Sequence, residues 1–481
     1  MNRRMILSTV GTLLMVESVL LLLPSLVAVI YRESCLSAYL ITAFAAFVLG
    51  FIIRKISRPR TKIIFAKEGF VIVGLTWVIL SAVGAVPFVL SGDIPHYYDA
   101  FFEMVSGFTT TGASIVPDVT ALSHATLFWR SFSHWIGGMG ILVFMAAVLP
   151  SISERPIHIL KAEMPGPIMG KFVPKLKETA IILYLIYIAL TVTEFILLLC
   201  GNMSVFEALI YSMGTAGTGG FAMHADGLAS FSAYSQWVIT VFMLLFGVNF
   251  NLYYLIIIKR FKETLLCTEV KVYFGIVIAA VTAITINISH MYSTFSETVR
   301  TSAFQVASIV STTGYTTTDF NNWPDFSKAV ILLLMISGAC AGSTAGGFKI
   351  SRIIIIFKLV GKEIKQLIHP RSVSAIRFEG KNLDNATLKS VSNYCLMYFI
   401  CLFFIFLIIS LEPFGLETNL SATFSCFNNI GPGLSLVGPM ANYSIYSVFS
   451  KYLLSFAMIL GRLEIFPVII MLSPTVWSKN K

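Results

Sequence analysis

The stretch "STTGYTT", Ser311 to Thr317, places small hydroxyl residues around one glycine between two apolar segments. It is not alone. "FTTTGAS" (Phe108–Ser114), "AGTGGFA" (Ala216–Ala222) and "NNIGPGLS" (Asn428–Ser435) carry the same pattern. Their glycines, Gly112, Gly219, Gly314 and Gly431, stand 107, 95 and 117 residues apart. Near-equal spacing points to four copies of one unit. Each glycine follows a helix-competent segment too short to cross a bilayer: Tyr98–Phe108, Ser204–Met213, Ser296–Val310 and Thr418–Phe427. Two of these open with a capping-box pattern, Ser204 with Glu207 and Thr294 with Glu297. A serine lies six residues before the glycine at Ser106, Ser308 and Ser425; the second copy has Met213 there, with Ser212 beside it.

Around these stretches the chain is that of a membrane protein. Of its 481 residues 56% are hydrophobic and only 12% charged, against about 25% charged in a typical soluble domain. Mean hydropathy is +0.83. A spanning helix needs roughly 20 mostly apolar residues, and most apolar runs meet that length. Two do not: Ala329–Cys340 and Ile350–Phe357 are short and flank "GACAGSTAGGFK" (Gly338–Lys349). Trp237–Ile258 reads as one span, and Met5–Ile30 as a retained span rather than a removable leader. The expected fold is an all-α polytopic membrane protein. Four tandem span, pore-helix, filter-loop, span repeats surround a pseudo-four-fold pore, with two extra transmembrane helices in front. The expected divisions are 1–68 for the leading helices and linker, 69–150 for repeat 1, and 151–262 for a connector (151–179) and repeat 2. Repeat 3 takes 263–370, with its last helix broken at 337–347, and repeat 4 takes 371–481.

The net charge of +10 reads as topology, not nucleic-acid binding. Lys and Arg gather at 54–67, at 259–271 and at 349–389, while the loops near 93–99, 202–207 and 412–417 carry none. The positive-inside rule puts the basic loops, and with them both termini, in the cytoplasm. The Gly/Thr loops then face out. Seven cysteines lie in or beside apolar runs without a Cys-x-x-Cys pair, and seven histidines show no metal spacing. No nucleophile and base stand in a readable constellation, so an enzyme is not expected, and no organic cofactor is implied.

Non-helical backbone at membrane depth is tolerated where it is buried in protein or lines a water-filled path. Four re-entrant loops from one chain can meet on an axis. Short helices descending toward it point their partly negative C-terminal ends at a cation. Glycine permits backbone conformations that turn carbonyls inward, and a carbonyl ring replacing an ion's hydration shell is how potassium channels select, with a loop reading TVGYG. The candidate filter residues are Thr110, Thr111 and Gly112; Gly217, Thr218 and Gly219; Thr312, Thr313 and Gly314; and Asn429, Ile430 and Gly431. The candidate gate is the segment "SGACAGSTAGG" (Ser337–Gly347), with Gly338, Gly342, Ser343, Thr344, Gly346 and Gly347. Arg462, in the last apolar run, is the expected donor to its carbonyls. A packing kink without gating is the plainer alternative for this segment. "GSTAGGFK" also approaches a phosphate loop, but Phe348 stands where that pattern needs lysine.

These motifs together resemble the Trk/Ktr/HKT superfamily of potassium transport proteins, in its bacterial Trk membrane-subunit branch. "RSFSHWIGGMGILVFMAAVLP" (Arg130–Pro150) is similar to the stretch after the family's first filter. "GSTAGGFKISR" (Gly342–Arg352) resembles its intramembrane gating loop, and "GRLEIFPV" (Gly461–Val468) its last-span signature. The two leading spans favour the Trk branch over the shorter Ktr branch. The resemblance implies potassium as the transported ion held at the filter residues, Arg462 below the filter near the gating loop, and a homodimer. It also implies a cytoplasmic Trk-type nucleotide-binding regulatory subunit, for which this chain contains no domain. An alternating-access cation symporter is the competing reading. Four copies in one orientation, rather than a two-fold inverted repeat, favour a pore.

Overall fold

A helix satisfies its backbone within one segment, which is what an apolar chain in hydrocarbon requires. The computed structural model describes residues 2–58, 66–140, 176–372 and 375–477. Among these, helices carry almost everything. The one sheet is a hairpin, β1 (Arg377–Phe378) antiparallel to β2 (Lys381–Asn382). Six helical stretches are long and apolar enough to cross a bilayer, and a seventh qualifies as a bent pair. The expected connector at Ser151–Thr179 falls, up to residue 175, outside the described residues.

The leading helices are α1 (Arg3–Leu20), its continuation α2 (Leu22–Tyr31), and α3 (Leu36–Ile56). At the α1–α3 crossing a Cβ on Gly11 or Gly50 would lie 2.7 or 2.6 Å from the other's carbonyl oxygen. Such close approach of backbones is how helices associate where lipid is as apolar as leucine.

Four helical units follow. The first is α4 (Ala66–Gly84) with α5 (Val86–Ser91), short α6 (Tyr97–Phe108) and α7 (His124–Gly138). The second is α8 (Leu176–Cys200), short α9 (Val205–Gly217), and α10 (Ala233–Phe246) with α11 (Phe250–Ile257); α12 (Phe261–Leu266) leads on. The third is α13 (Thr268–Ile288), short α14 (Phe295–Val310), and α15 (Asp325–Ser337) with α16 (Ile350–Ile368). The fourth is α17 (Asn385–Ile409), short α18 (Leu416–Asn428), and α19 (Val448–Arg462) with α20 (Phe466–Leu472), before α21 (Pro474–Trp477).

Each short helix packs between the two long helices of its own unit and against the second long helix of the preceding unit. Thus α9 meets α7, α14 meets α10, α18 meets α15, and α6 meets α19. The last pairing closes the ring. An ion pair between Lys451 of α19 and Asp99 of α6, 2.6 Å long and mostly buried, fastens that closure. The leading helices stand outside the ring, against α4, α5 and α7.

The short helices start as the sequence directs. Ser204 and Glu207 form both halves of a capping box at α9, and the Thr294 hydroxyl accepts from the Glu297 amide at α14. One helix runs further than expected: α9 continues past Met213 to Gly217. A second departure is larger. The apolar run Trp237–Ile258 is not one span; α10 and α11 meet at a 92° bend. At the break the Gly247 carbonyl accepts from Cys340 N and the Phe250 amide donates to Gly342 O. Backbone groups that a continuous helix would use internally are bonded instead to the segment between α15 and α16. Asn249 caps the restarted helix by accepting from Asn251 N. Unit 4 breaks likewise, after Arg462, where Glu464 and Ile465 both take positive φ.

Candidate functional site

All four short helices end in one way. Thr110, Thr218, Thr312 and Asn429 adopt left-handed backbone with φ of 55°, 55°, 58° and 56°. The next residue's amide returns five positions, Thr111 to Ser106 O, Gly219 to Gly214 O, Thr313 to Ser308 O and Ile430 to Ser425 O, at 2.9–3.0 Å. This is the Schellman termination, normally made by glycine. A non-glycine residue there costs about 1–2 kcal/mol, which side-chain hydrogen bonds can offset. Thr218 Oγ1 donates to Thr344 O, Thr312 Oγ1 accepts from Gly346 N, and Asn429 Nδ2 donates to Met458 O and Thr111 Oγ1. Three of the four thus bind outside their own strand.

The residue two positions on is a glycine with positive φ in every unit: Gly112 (78°), Gly220 (80°), Gly314 (84°) and Gly431 (103°). A Cβ on Gly112 would lie 1.9 Å from Gly219 O. The same atom on Gly220 would lie 1.9 Å from Thr313 O, on Gly314 2.0 Å from Ile430 O, and on Gly431 2.8 Å from Thr111 O. Each strand's carbonyl therefore fills the side-chain space of the preceding unit's glycine, and the fourth returns to the first. The ring consists of Thr111, Gly219, Thr313 and Ile430 carbonyls against Gly112, Gly220, Gly314 and Gly431.

This corrects the second unit's register by one residue. Gly220, not Gly219, is the counterpart of Gly112, and the glycine spacings become 108, 94 and 117. The triplet is Thr218, Gly219, Gly220. Gly217 is the last residue of α9, packed so that a Cβ would meet His134 O at 2.3 Å. With two adjacent glycines the sequence alone does not choose between them; the length of α9 does. The correction also places Gly214, rather than Met213, at the serine position. There a Cβ would lie 2.0 Å from the Tyr315 hydroxyl. The tyrosine of "TTGYT" reaches behind the neighbouring strand, where it donates to Tyr211 O. Ser308 and Ser425 hold their own strands through Tyr315 O and Gly431 O, both at 2.6 Å.

A cavity of ≈ 130 Å³ lies on one side of the ring, lined by all four glycines with Arg130, Phe221 and Tyr443. Arg130, nearly fully buried, pairs with the fully buried Glu103 at 2.7 Å and stacks 4.1 Å over the Phe221 ring. Neither charge was singled out from sequence; a glutamate and an arginine inside otherwise apolar segments were the available signal.

On the other side lies a smaller cavity, ≈ 60 Å³, lined by Gly138, Phe250, Gly342, Gly346, Gly347, Lys349 and Arg462 among others. The segment between α15 and α16 forms part of its wall. Gly338, Gly342 and Gly347 take φ of 63°, 75° and 76°. The Ser343 hydroxyl donates to Cys340 O within the loop, and the Thr344 hydroxyl to Phe246 O of α10. A Cβ on Gly346 would lie 2.5 Å from Asn428 O, so the loop touches the end of α18 directly. Arg462 donates to Thr344 O at 2.7 Å and to Gly137 O and Gly138 O at 2.6 and 2.8 Å. One guanidinium at the end of α19 thus ties the loop to the last turn of α7. Its neighbour Glu464 pairs with Arg352 of α16 at 2.6 Å rather than with Arg462. Lys349 is 2% exposed and donates to Ala345 O. Both basic residues are therefore buried parts of the loop's frame, not anchors in solvent.

The site holds no cluster of metal-ligating side chains among the described residues. What it offers is a ring of main-chain carbonyls at the convergent C-termini of four helices, open to a cavity on each side. The partly negative C-terminal ends of helices favour a cation nearby.

Comparison with known proteins agrees in kind. A model of the family described as "TrkH: Cation transport protein" matches residues 41–479. The chain is similar to the Trk system potassium uptake protein TrkH of Escherichia coli K12, 34% identical with both chains fully covered. It is also similar to TrkG of that organism, 31% identical over 97% of each chain. The crystal structure of the potassium transporter TrkH from Vibrio parahaemolyticus superposes with a TM-score of 0.89 at 31% identity, over 99% of this chain and all of that one.

Proposed function

Because the chain belongs to the TrkH family of cation transport proteins, we propose that this multi-pass membrane protein takes up potassium through the glycine ring. The carbonyls of Thr111, Gly219, Thr313 and Ile430 replace water around a dehydrated potassium ion. The observation that carries the reading is the cyclic fit of each carbonyl into the neighbouring glycine's side-chain space. Ring diameter is then set by backbone contact between units, and a side chain at any of those positions displaces a carbonyl.

The loop Gly338–Gly347 is the gate. In this structure it lines the cavity next to the ring, held there by Thr218, Thr312 and Arg462. Arg462 also sets a positive charge beside the cation's path. Opening withdraws loop and guanidinium together. One axis enclosed by four like-oriented units supports a pore over an alternating-access symporter.

The short helices begin on the outer side of a prokaryotic plasma membrane, and both termini with the basic loops lie in the cytoplasm. A cysteine at Asp226 or Asn322 reacts with an impermeant maleimide from outside, and one at Arg58 or Lys381 only after the membrane is opened; the reverse labelling inverts the orientation. The protein acts as a homodimer with a nucleotide-binding regulatory subunit of the Trk system. The exposed stripe Phe357, Val360, Ile364 and Leu367 on α16 supports a contact between copies. Uptake of rubidium, potassium and sodium by liposomes holding purified protein tests the function. Potassium and rubidium entering well ahead of sodium is the expected result, and equal entry of all three defeats it.

A further inference from the structure

The loop's two ends are joined by a residue outside it, one that lies in neither cavity wall. Glu269, in the first turn of α13, is 4% exposed. Its Oε1 accepts from Ala341 N at 2.7 Å and from Ser351 N at 3.1 Å. Ala341 lies inside the loop and Ser351 in the opening turn of α16, ten positions later. One oxygen therefore fixes both limbs of the loop against each other and against α13. The backbone groups it serves have left the helical ladder, and at membrane depth such groups need a partner. A carboxylate suits the task because it also faces the N-terminal end of α16. The buried Lys349 ammonium, bonded to Ala345 O, supplies the nearby opposite charge.

The contact continues toward the hairpin. The Glu269 amide donates to Glu379 Oε1 at 3.1 Å, and Glu379 sits in the turn between β1 and β2. Ile376 and Phe378 are buried in the same apolar cluster as Cys267, Ile354 and Leu388. Lys358 of α16 donates to Arg377 O. The hairpin is thus fastened to the start of α13 and to the side of α16, the two elements that Glu269 bridges.

We infer that Glu269 is the positioning residue that clasps the intramembrane loop across the ion path, and that Glu379 couples this clasp to the hairpin Arg377–Asn382. The inference rests on the gate reading above. Displacing the hairpin shifts the start of α13, withdraws the carboxylate, and frees Ala341 and Ser351 together. Glu269 touches neither the ring nor the ion, so releasing it raises flux and leaves ion preference as it was.

The test is rubidium and sodium uptake into liposomes holding the full-length chain, with folding checked by gel filtration. Glu269→Ala is expected to raise rubidium uptake about fivefold with the rubidium-to-sodium ratio unchanged. Two gentler variants separate reach from charge. Glu269→Gln keeps the length and an acceptor oxygen and stays within about twofold of the parent. Glu269→Asp keeps the charge but is one methylene short, and rises nearly as far as Glu269→Ala. Glu379→Ala gives a smaller rise. Deleting Ala341–Gly346 is run beside them, and adding Glu269→Ala to that deletion gives no further increase. If the deletion raises uptake while folded Glu269→Ala and Glu269→Asp do not, the clasp is wrong and the gate stands. If the deletion itself leaves uptake unchanged, the gate reading fails and takes the clasp with it. A rise in Glu269→Gln without one in Glu269→Asp overturns the inference too, because charge rather than the paired hydrogen bonds would then be at work.

Discussion

In the glycine ring, each strand is held by the helix before it. The same return from the residue after the left-handed position to the helix five residues back occurs in all four units. The strands then meet carbonyl against glycine, with no side chain between them. The loop Gly338–Gly347 is held otherwise. Among the described residues it occurs in one unit, and side chains from units 2, 3 and 4 anchor it: Thr218, Thr312, Arg462 and Glu269. Backbone contacts repeated by symmetry cannot be released singly. Side-chain bonds to an irregular loop can. The first region is suited to holding a fixed diameter and the second to moving, and substitutions in each should give different phenotypes.

The largest effect is expected from removing the loop. Deletion of Ala341–Gly346 should raise rubidium uptake without any partner protein by about tenfold, a shift of about 1.4 kcal/mol, with ion preference kept. Arg462→Ala comes next, at about fivefold, since charged hydrogen bonds are worth about 1.5–3 kcal/mol each and part of that is regained by water. Combining the two should give less than the product, because both act on one closed state. Thr218→Val removes a hydroxyl shared between Gly217 O and Thr344 O while keeping the shape. A net hydrogen bond of about 1 kcal/mol shared among several anchors should change uptake by about twofold. Uptake at or below the parent level in all three well-folded variants would make the segment a packing kink.

The architecture was legible because its signals are local and repeated. Four glycines at near-equal spacing, each behind a short helix, give the ring, and alternate basic loops give its orientation as a proposal. The register of unit 2 was not legible. Gly219 and Gly220 are adjacent, and only where α9 ends decides which takes the positive φ. The bend at Gly247 was hidden for a related reason: Trp237–Ile258 is apolar throughout, and the cause of its break is a loop about ninety residues further on. Glu269 was equally silent. It lies in a basic, loop-flanked stretch that reads as an ordinary helix start, and its partners stand 72 and 82 residues further along the same unit. Pairing across such a separation leaves no mark in the residues beside it.

The ratio of rubidium to sodium uptake in liposomes, compared for the parent chain, Gly112→Ser and Gly220→Ser, tests the central claim most directly. Both glycines hold positive φ, and a Cβ on either would lie 1.9 Å from a ring carbonyl of the next unit. Either serine must therefore move a ring oxygen. The account predicts that each variant, still folded, loses about tenfold of the parent's preference for rubidium, or about 1.4 kcal/mol. Folded variants with the parent's ratio would contradict it, because the ring of carbonyls would then not be what selects the ion.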